Sequence, residues 1–233
     1  MTNELYLKDS YLKEFEAKVV KADGLKIVLD QTAFCPESEG QPCDFGKLIS
    51  NGVEYSVTNV KKESDEIVHY VDKEGLKAGD SVKGVIDWER RYTLMKMHTA
   101  VHILSTIIHK LTGALITGSQ LNTDKSRIDF DLENFKREEL QNYFSAANDI
   151  VKWDLPIMTD IFPVEQVLND KTLGKLAKNI QPGLKEIRVV EIEMFDKQID
   201  NGTHVKFTKE VGKIEFLSVE NSGINNKIYF KVQ

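Results

Sequence analysis

Two of the five histidines are spaced so that they can share an ion, and a third lies in a loop with other candidate ligands. His98-Thr-Ala-Val-His102 sets two imidazoles at i and i+4, so in a helix both lie on one face, a turn apart. Side chains placed that way reach one metal ion with little backbone adjustment. The third, His204, lies in Asp200-Asn-Gly-Thr-His204-Val, where a carboxylate, a flexible glycine and a hydroxyl accompany the imidazole. Together His98, His102, Asp200 and His204 make a four-ligand set of borderline-hard character. Blander readings stand beside it: a chance surface pair on a helix, and a turn between two strands with a solvent-facing His204. His109 falls near the same helix face. Seven residues carry it about 10 Å along the axis from His102, too far for bonds of about 2 Å. It is read as structural, as is His69.

A helix must position the first pair. From about Glu89 the apolar residues Leu94, Met97, Val101, Leu104 and Ile108 recur at three and four residues, and Gly113 is placed to stop the helix. A second helix is predicted over Glu138–Lys152, ended before Pro156. Strands are predicted at Arg127–Leu132, Ile157–Phe162, Ile187–Met194, Lys213–Val219 and Lys227–Val232. The character is different before Trp88. Phe15–Ala22 and Leu25–Thr32 flank Asp23-Gly24, while Leu48–Ile49 and Val53–Val60 flank Asn51-Gly52; both dipeptides suit tight hairpins. Ile67–Val71 and Ser81–Asp87 add further strands. The expected fold class is α+β: a small N-terminal antiparallel β-barrel over 1–88, then an α+β domain over 89–233 with helices packed on an antiparallel sheet.

Composition narrows the function classes. The 233 residues are 41% hydrophobic and 29% charged, ordinary for a soluble globular chain. No apolar run approaches the roughly 20 residues of a membrane span, and the start lacks the basic and apolar stretches of a signal peptide. A cytoplasmic location and no membrane partner are the expectation. Cys35 and Cys43 fit neither a common zinc knuckle nor a disulfide framework, and are read as reduced thiols in a loop. A net charge of −6 argues against nonspecific, phosphate-dominated nucleic-acid binding. It leaves room for a local patch. Lys171 to Lys231 holds 11 Lys or Arg against 8 Asp or Glu, a mild positive balance that a solvated face explains nearly as well.

Longer blocks carry a resemblance. Trp88-Glu-Arg-Arg-Tyr-Thr-Leu-Met-Lys-Met-His98-Thr-Ala-Val-His102 resembles the first signature of the alanyl-tRNA editing family, which comprises the editing domain of alanyl-tRNA synthetase and its free-standing relatives. Gly118-Ser119 through Ser126-Arg127-Ile-Asp129-Phe130 is similar to the next segment. Asp200-Asn-Gly-Thr-His204-Val through Gly212 is similar to the family's Cys-Gly-Gly-Thr-His-Val motif. Upstream, Pro36-Glu37-Ser38-Glu39-Gly40-Gln41-Pro42 through Gly46 resembles the glycine-rich segment of the preceding barrel, and Glu220-Asn-Ser-Gly223 also fits. The blocks keep the family's order and span nearly the whole chain. There are departures: Asp200 replaces the usual cysteine ligand, Glu39 stands where glycine is common, and Asn225-Asn226-Lys227 occupies a stretch often rich in arginine.

The resemblance implies a trans-editing hydrolase that deacylates mischarged Ser-tRNA-Ala, with Gly-tRNA-Ala as a second candidate substrate. It implies Zn2+ at His98, His102, Asp200 and His204, or another divalent ion, because a carboxylate is harder than a thiolate. The ion would polarise the carbonyl or acidify water, or else anchor the substrate amine or terminal ribose. Thr203 and backbone N–H groups near Gly202 are candidate oxyanion donors, with a purely structural turn as the alternative. Gly40 and Gln41 are assigned to substrate binding by their family position. Serine exceeds alanine by a hydroxyl, so selectivity must reward that hydroxyl with a hydrogen bond. The tRNA would be met by the basic stretch after Lys171 or by exposed edges of the barrel. Two rivals remain: a catalytically inactive tRNA-binding module, in which Asp200 marks decay, and an unrelated metallohydrolase of small esters or amides.

Overall fold

The computed structural model describes residues 2–38, 40–64, 66–132, 136–169, 184–222 and 225–233. The chain divides into two compact units, residues 1–95 with 119–126 and residues 96–118 with 127–233.

The first unit is built on six antiparallel strands that close into a barrel. After the short β1 (Asn3–Glu4), β2 (Glu14–Asp23) buries Phe15, Ala17 and Val19 at alternate positions, as the period of two requires. Gly24, at φ 57°, turns the chain into β3 (Lys26–Leu29). The two-residue β4 (Gln31–Thr32) pairs in parallel with β1. β5 (Gly46–Ser50) and β6 (Val53–Glu63) are joined by Asn51 and Gly52, at φ 50° and 77°, the paired left-handed residues of a type I′ hairpin. β7 (Glu66–Val71) and β8 (Ser81–Ile86) complete the circuit β2-β3-β7-β6-β5-β8. Bulges at Val19/Lys21 and Val57/Asn59 supply the local bending that closure needs. Closure corrects one expectation, because a closed barrel leaves no exposed strand edge among these six to meet tRNA.

A buried ion pair ties the loop after β4 to the start of the long helix α1 (Trp88–Thr112). Arg91 Nε donates to Asp44 Oδ1 at 2.9 Å and its Nη1 to Ser10 O at 2.9 Å, while Asp44 Oδ2 accepts Cys35 N–H at 2.5 Å. Arg91 and Asp44 are both fully buried. Asp87 caps α1 by accepting Arg90 N–H at 3.2 Å, the usual role of a short acidic side chain there. Gly113 at φ 78° ends the helix, because glycine enters the left-handed region freely. The boundary between units falls inside α1, between Met95 and Lys96.

The second unit holds two antiparallel sheets with helices against them, matching the α+β expectation. The first has the order β14-β15-β10-β9, from β9 (Ile116–Gln120), β10 (Ser126–Phe130), β14 (Ile214–Ser222) and β15 (Asn225–Val232). Helix α2 (Arg137–Lys152) lies on it. The Asn148 amide donates to Ile214 O and accepts Ile214 N–H, both at 2.9 Å, and Phe144 meets Phe216 edge-on at 5.5 Å. The second sheet runs β11-β12-β13, from β11 (Ile157–Pro163), β12 (Glu186–Ile192) and β13 (Asp196–Ile199). Helix α3 (Val164–Asn169) packs Val167 onto Ile187 and Val189. Among the described residues no helix is long and apolar enough to cross a membrane.

Candidate metal centre

Helix periodicity and strand alternation meet at one point in the second unit. Helix α1 presents His98, His102 and Thr106 at i, i+4 and i+8, a single stripe. β13 and the residue after it present Asp196, Gln198 and Asp200 at i, i+2 and i+4, one side of an extended chain. The loop beyond brings back His204. The Nε2 atoms of His98, His102 and His204 stand 3.0, 2.9 and 3.1 Å from a single atom, Asp200 Oδ2. The four ligand atoms all lie within 4.8 Å of one another. In a tetrahedral site with bonds of about 2.0–2.2 Å, neighbouring donors are about 3.3 Å apart. The cluster fits such an ion in both spacing and donor chemistry, and it can hold one.

The atoms facing away from that point are held too. His102 Nδ1 meets Asp196 Oδ2 at 3.0 Å, and His204 Nδ1 meets Thr99 Oγ1 at 3.1 Å. These contacts fix ring orientation and turn both Nε2 atoms inward. His98 Nδ1 is buried with no hydrogen-bond partner among the described residues. Asp200 spends its other oxygen locally, since Oδ1 accepts Gly202 N–H at 2.5 Å, an Asx turn. Arg188 on β12 brackets the same residue: its Nη1 donates to Asp200 O at 2.8 Å, and its own carbonyl accepts Asp200 N–H. His204 is only 4% exposed, so the solvent-facing alternative is overturned. The stacked and edge-on contacts with His98 and His102 at 4.3 and 4.6 Å account for its burial.

Charge is shared unevenly within the cluster. Burial opposes a proton on His102, but hydrogen bonds to Asp196 and Asp200 overcome it and push the imidazole up to about 9. Burial, reinforced by the neighbouring His98, holds His204 well below its ordinary value. Burial would raise Asp200, yet His98 and the bonds from the other imidazoles carry it well below the carboxylate range. Asp196 is likewise lowered, because its bond to His102 outweighs burial. Without an ion, one excess proton therefore sits on His102 between two carboxylates. Metal binding must displace it.

The remaining expected site residues fall as follows. Thr203 is fully buried and Gly202 is buried beside Asp200. Gly40 and Gln41 belong to the barrel unit. There Gly40 O accepts Leu121 N–H at 2.7 Å, and the buried Gln41 amide donates to Cys35 Sγ at 3.5 Å. Cys35 and Cys43 are buried thiols. His69 is buried in the barrel against Thr32 Oγ1 at 2.8 Å, and His109 Nδ1 bonds Ala114 O at 3.0 Å. Glu39 and Gly223 lie outside the described residues, as do 170–183, which include the start of the basic stretch. Sequence reasoning missed Asp196 and Thr99. Asp196-Lys-Gln198 is an unbroken polar run, so no alternation marked the first.

Comparison with known proteins first fixes the class. Residues 6–90 match the family described as class II (A) tRNA synthetases, and residues 187–227 match the threonyl and alanyl tRNA synthetase second additional domain. A barrel followed by a histidine-bearing α+β unit is thus an assembly of aminoacyl-tRNA synthetase-type modules. The chain is 44% identical to the alanyl-tRNA editing protein AlaX-M of Methanosarcina barkeri, over 99% of this chain and 98% of that one. It is 43% identical to the AlaX-M protein of Saccharolobus solfataricus over the whole of both chains. An alanine–tRNA ligase of Pyrococcus abyssi is 42% identical over 94% of this chain and 24% of its own length. The chain belongs to the alanyl-tRNA editing protein AlaX-M family.

Proposed function

We propose that the protein is a metal-dependent trans-editing deacylase that hydrolyses the ester joining serine to tRNA-Ala, with glycine as a second misacylated substrate. The supporting observation is the convergence of three imidazole Nε2 atoms on Asp200 Oδ2, in a chain whose relatives are named alanyl-tRNA editing proteins. Zn2+ is the ion we assign, since three nitrogens and one oxygen suit its tetrahedral preference. When bound, it would supply Lewis-acid polarisation of the ester carbonyl or of water.

The chain's own residues do the rest. His98, His102, Asp200 and His204 hold the ion, with Asp196 and Thr99 setting two of the rings. His98 and Asp200, at 15% and 16% side-chain exposure, form the more accessible side of the cluster. We assign substrate approach to that side, with His102 and His204 at the back. Oxyanion stabilisation is assigned to Thr203, since the Gly202 N–H already donates to Asp200 Oδ1; preorganised donors are worth most there. The proposed division of labour places this chemistry in residues 89–233 and leaves 1–88 as the barrel. Contact of Gly40 and Gln41 with substrate rests on the resemblance alone; Gln41→Ala would raise KM if it is real.

The test is incubation of the purified protein with Ser-tRNA-Ala and, separately, with correctly charged Ala-tRNA-Ala. Release of serine with alanine retained is expected. Binding of both tRNAs with hydrolysis of neither would identify a binding module instead.

A further inference from the structure

Resting on the metal-centre reading above, we infer that Asp196 is a positioning residue of that centre, holding His102 so that its Nε2 lone pair faces the ion. It lies outside every block that carries the resemblance. It lies four positions before the ligand Asp200, on the same side of the extended chain.

Its carboxylate is bonded on every side that matters to such a role. Oδ2 is 3.0 Å from His102 Nδ1, and since a carboxylate only accepts, Nδ1 carries the proton of that bond, which leaves Nε2 as the nitrogen that gives up its proton to an ion. Oδ1 accepts from Thr106 Oγ1 at 2.7 Å, and Gln198 Nε2 reaches Oδ2 at 3.0 Å. Thr106 stands one helical turn beyond His102, so the helix that carries the ligand also carries the group that steadies its partner. The Asp196 side chain is only 9% exposed, and a carboxylate buried to that degree needs a charged or hydrogen-bonded partner. The His102 Nδ1–H is the donor it faces. The three rings differ here: His204 Nδ1 has a hydroxyl, and His98 Nδ1 has no hydrogen-bond partner among the described residues. His102 is the best anchored of the three, and Asp196 is the cause.

The experiment measures Co2+ and Zn2+ binding to the full-length chain, with no tRNA present, for the parent, Asp196→Ala and Asp196→Asn. Metal-free circular dichroism and urea midpoints monitor folding. Asp196→Ala should bind Zn2+ about 10–100-fold more weakly, with an altered visible Co2+ spectrum. Asp196→Asn still accepts the Nδ1 proton through its amide oxygen and should lose less. Binding within twofold of the parent in both variants, with the parent Co2+ spectrum, overturns the role. If the alanine variant does not fold, the same criterion applied to Asp196→Asn decides it. A parent chain that binds neither ion overturns the metal centre and this inference together, a result distinct from equal binding by all three.

Discussion

Asp200 and Gly202 are locked by an Asx turn in which one carboxylate oxygen, Oδ1, takes the Gly202 N–H at 2.5 Å, leaving Oδ2 to face three imidazoles. The two oxygens have different work, and each acts as an acceptor. An asparagine has one acceptor oxygen, so Asp200→Asn must turn its NH2 either to the imidazoles or to the Gly202 N–H. It should therefore lie nearer Asp200→Ala than Asp200 in Zn2+ affinity, both at least tenfold weaker than the parent, a loss of about 1.4 kcal/mol or more. Isothermal titration with Zn2+ measures this directly. Parent-like affinity in Asp200→Ala would mean that three histidines hold the ion alone.

The Arg91–Asp44 pair is a structural counterpart with no proposed part in the chemistry. Removing one partner leaves the other charged and buried, which costs about 3–5 kcal/mol. Asp44→Ala should show that loss in urea unfolding. A change under about 1 kcal/mol would be a surface-pair value and would contradict the burial of both groups.

His69 gives the barrel a dependence on pH. Burial lowers its pKa from 6.5 to about 4, so between those values the unfolded chain binds the proton that the folded barrel refuses. The stabilisation is fully present above pH 6.5 and is lost as pH falls towards 4. By linkage this group alone should cost about 2 kcal/mol between pH 7.5 and 5. Comparing the pH slope of urea stability in the parent and in His69→Gln isolates it; equal slopes would assign the effect elsewhere.

Gly40 and Gly52 make a matched pair for separating backbone strain from collision. Both have positive φ, 86° and 77°, but a Cβ on Gly52 meets nothing within 4 Å, while one on Gly40 would stand 2.4 Å from Ser119 Oγ and 3.1 Å from Ser119 O. Gly52→Ala should cost about 1 kcal/mol, the left-handed penalty. Gly40→Ala should cost about 1–3 kcal/mol more by overpacking. Equal urea midpoints for the two variants would show that Ser119 moves aside freely.

Local chemistry was legible in the sequence where it decides structure locally. Asn51-Gly52 and Asp23-Gly24 announced their hairpins, and the apolar spacing from Leu94 to Ile108 with Gly113 announced α1. The four ligands were legible only as a set of suitable types, since their meeting depends on a helix and a loop about a hundred residues apart. The N-terminal barrel was legible as an architecture, from short strands at regular spacing, but its strand order was not, because that lies in pairings such as Phe15 with Gly84 and Gly46 with Ile86, which no local pattern records. β13 was missed for a different reason: four residues, all half-buried, show no alternation of exposure. Asp196 went with it.

The most direct measurement is serine release from Ser-tRNA-Ala by the protein as purified, after chelation, and after return of one equivalent of Zn2+. Hydrolysis should fall by at least tenfold on chelation, return with the added ion, and stay low in His102→Ala under all three conditions. Undiminished hydrolysis in the chelated parent, or full activity in His102→Ala, would contradict a metal centre built from His98, His102, Asp200 and His204.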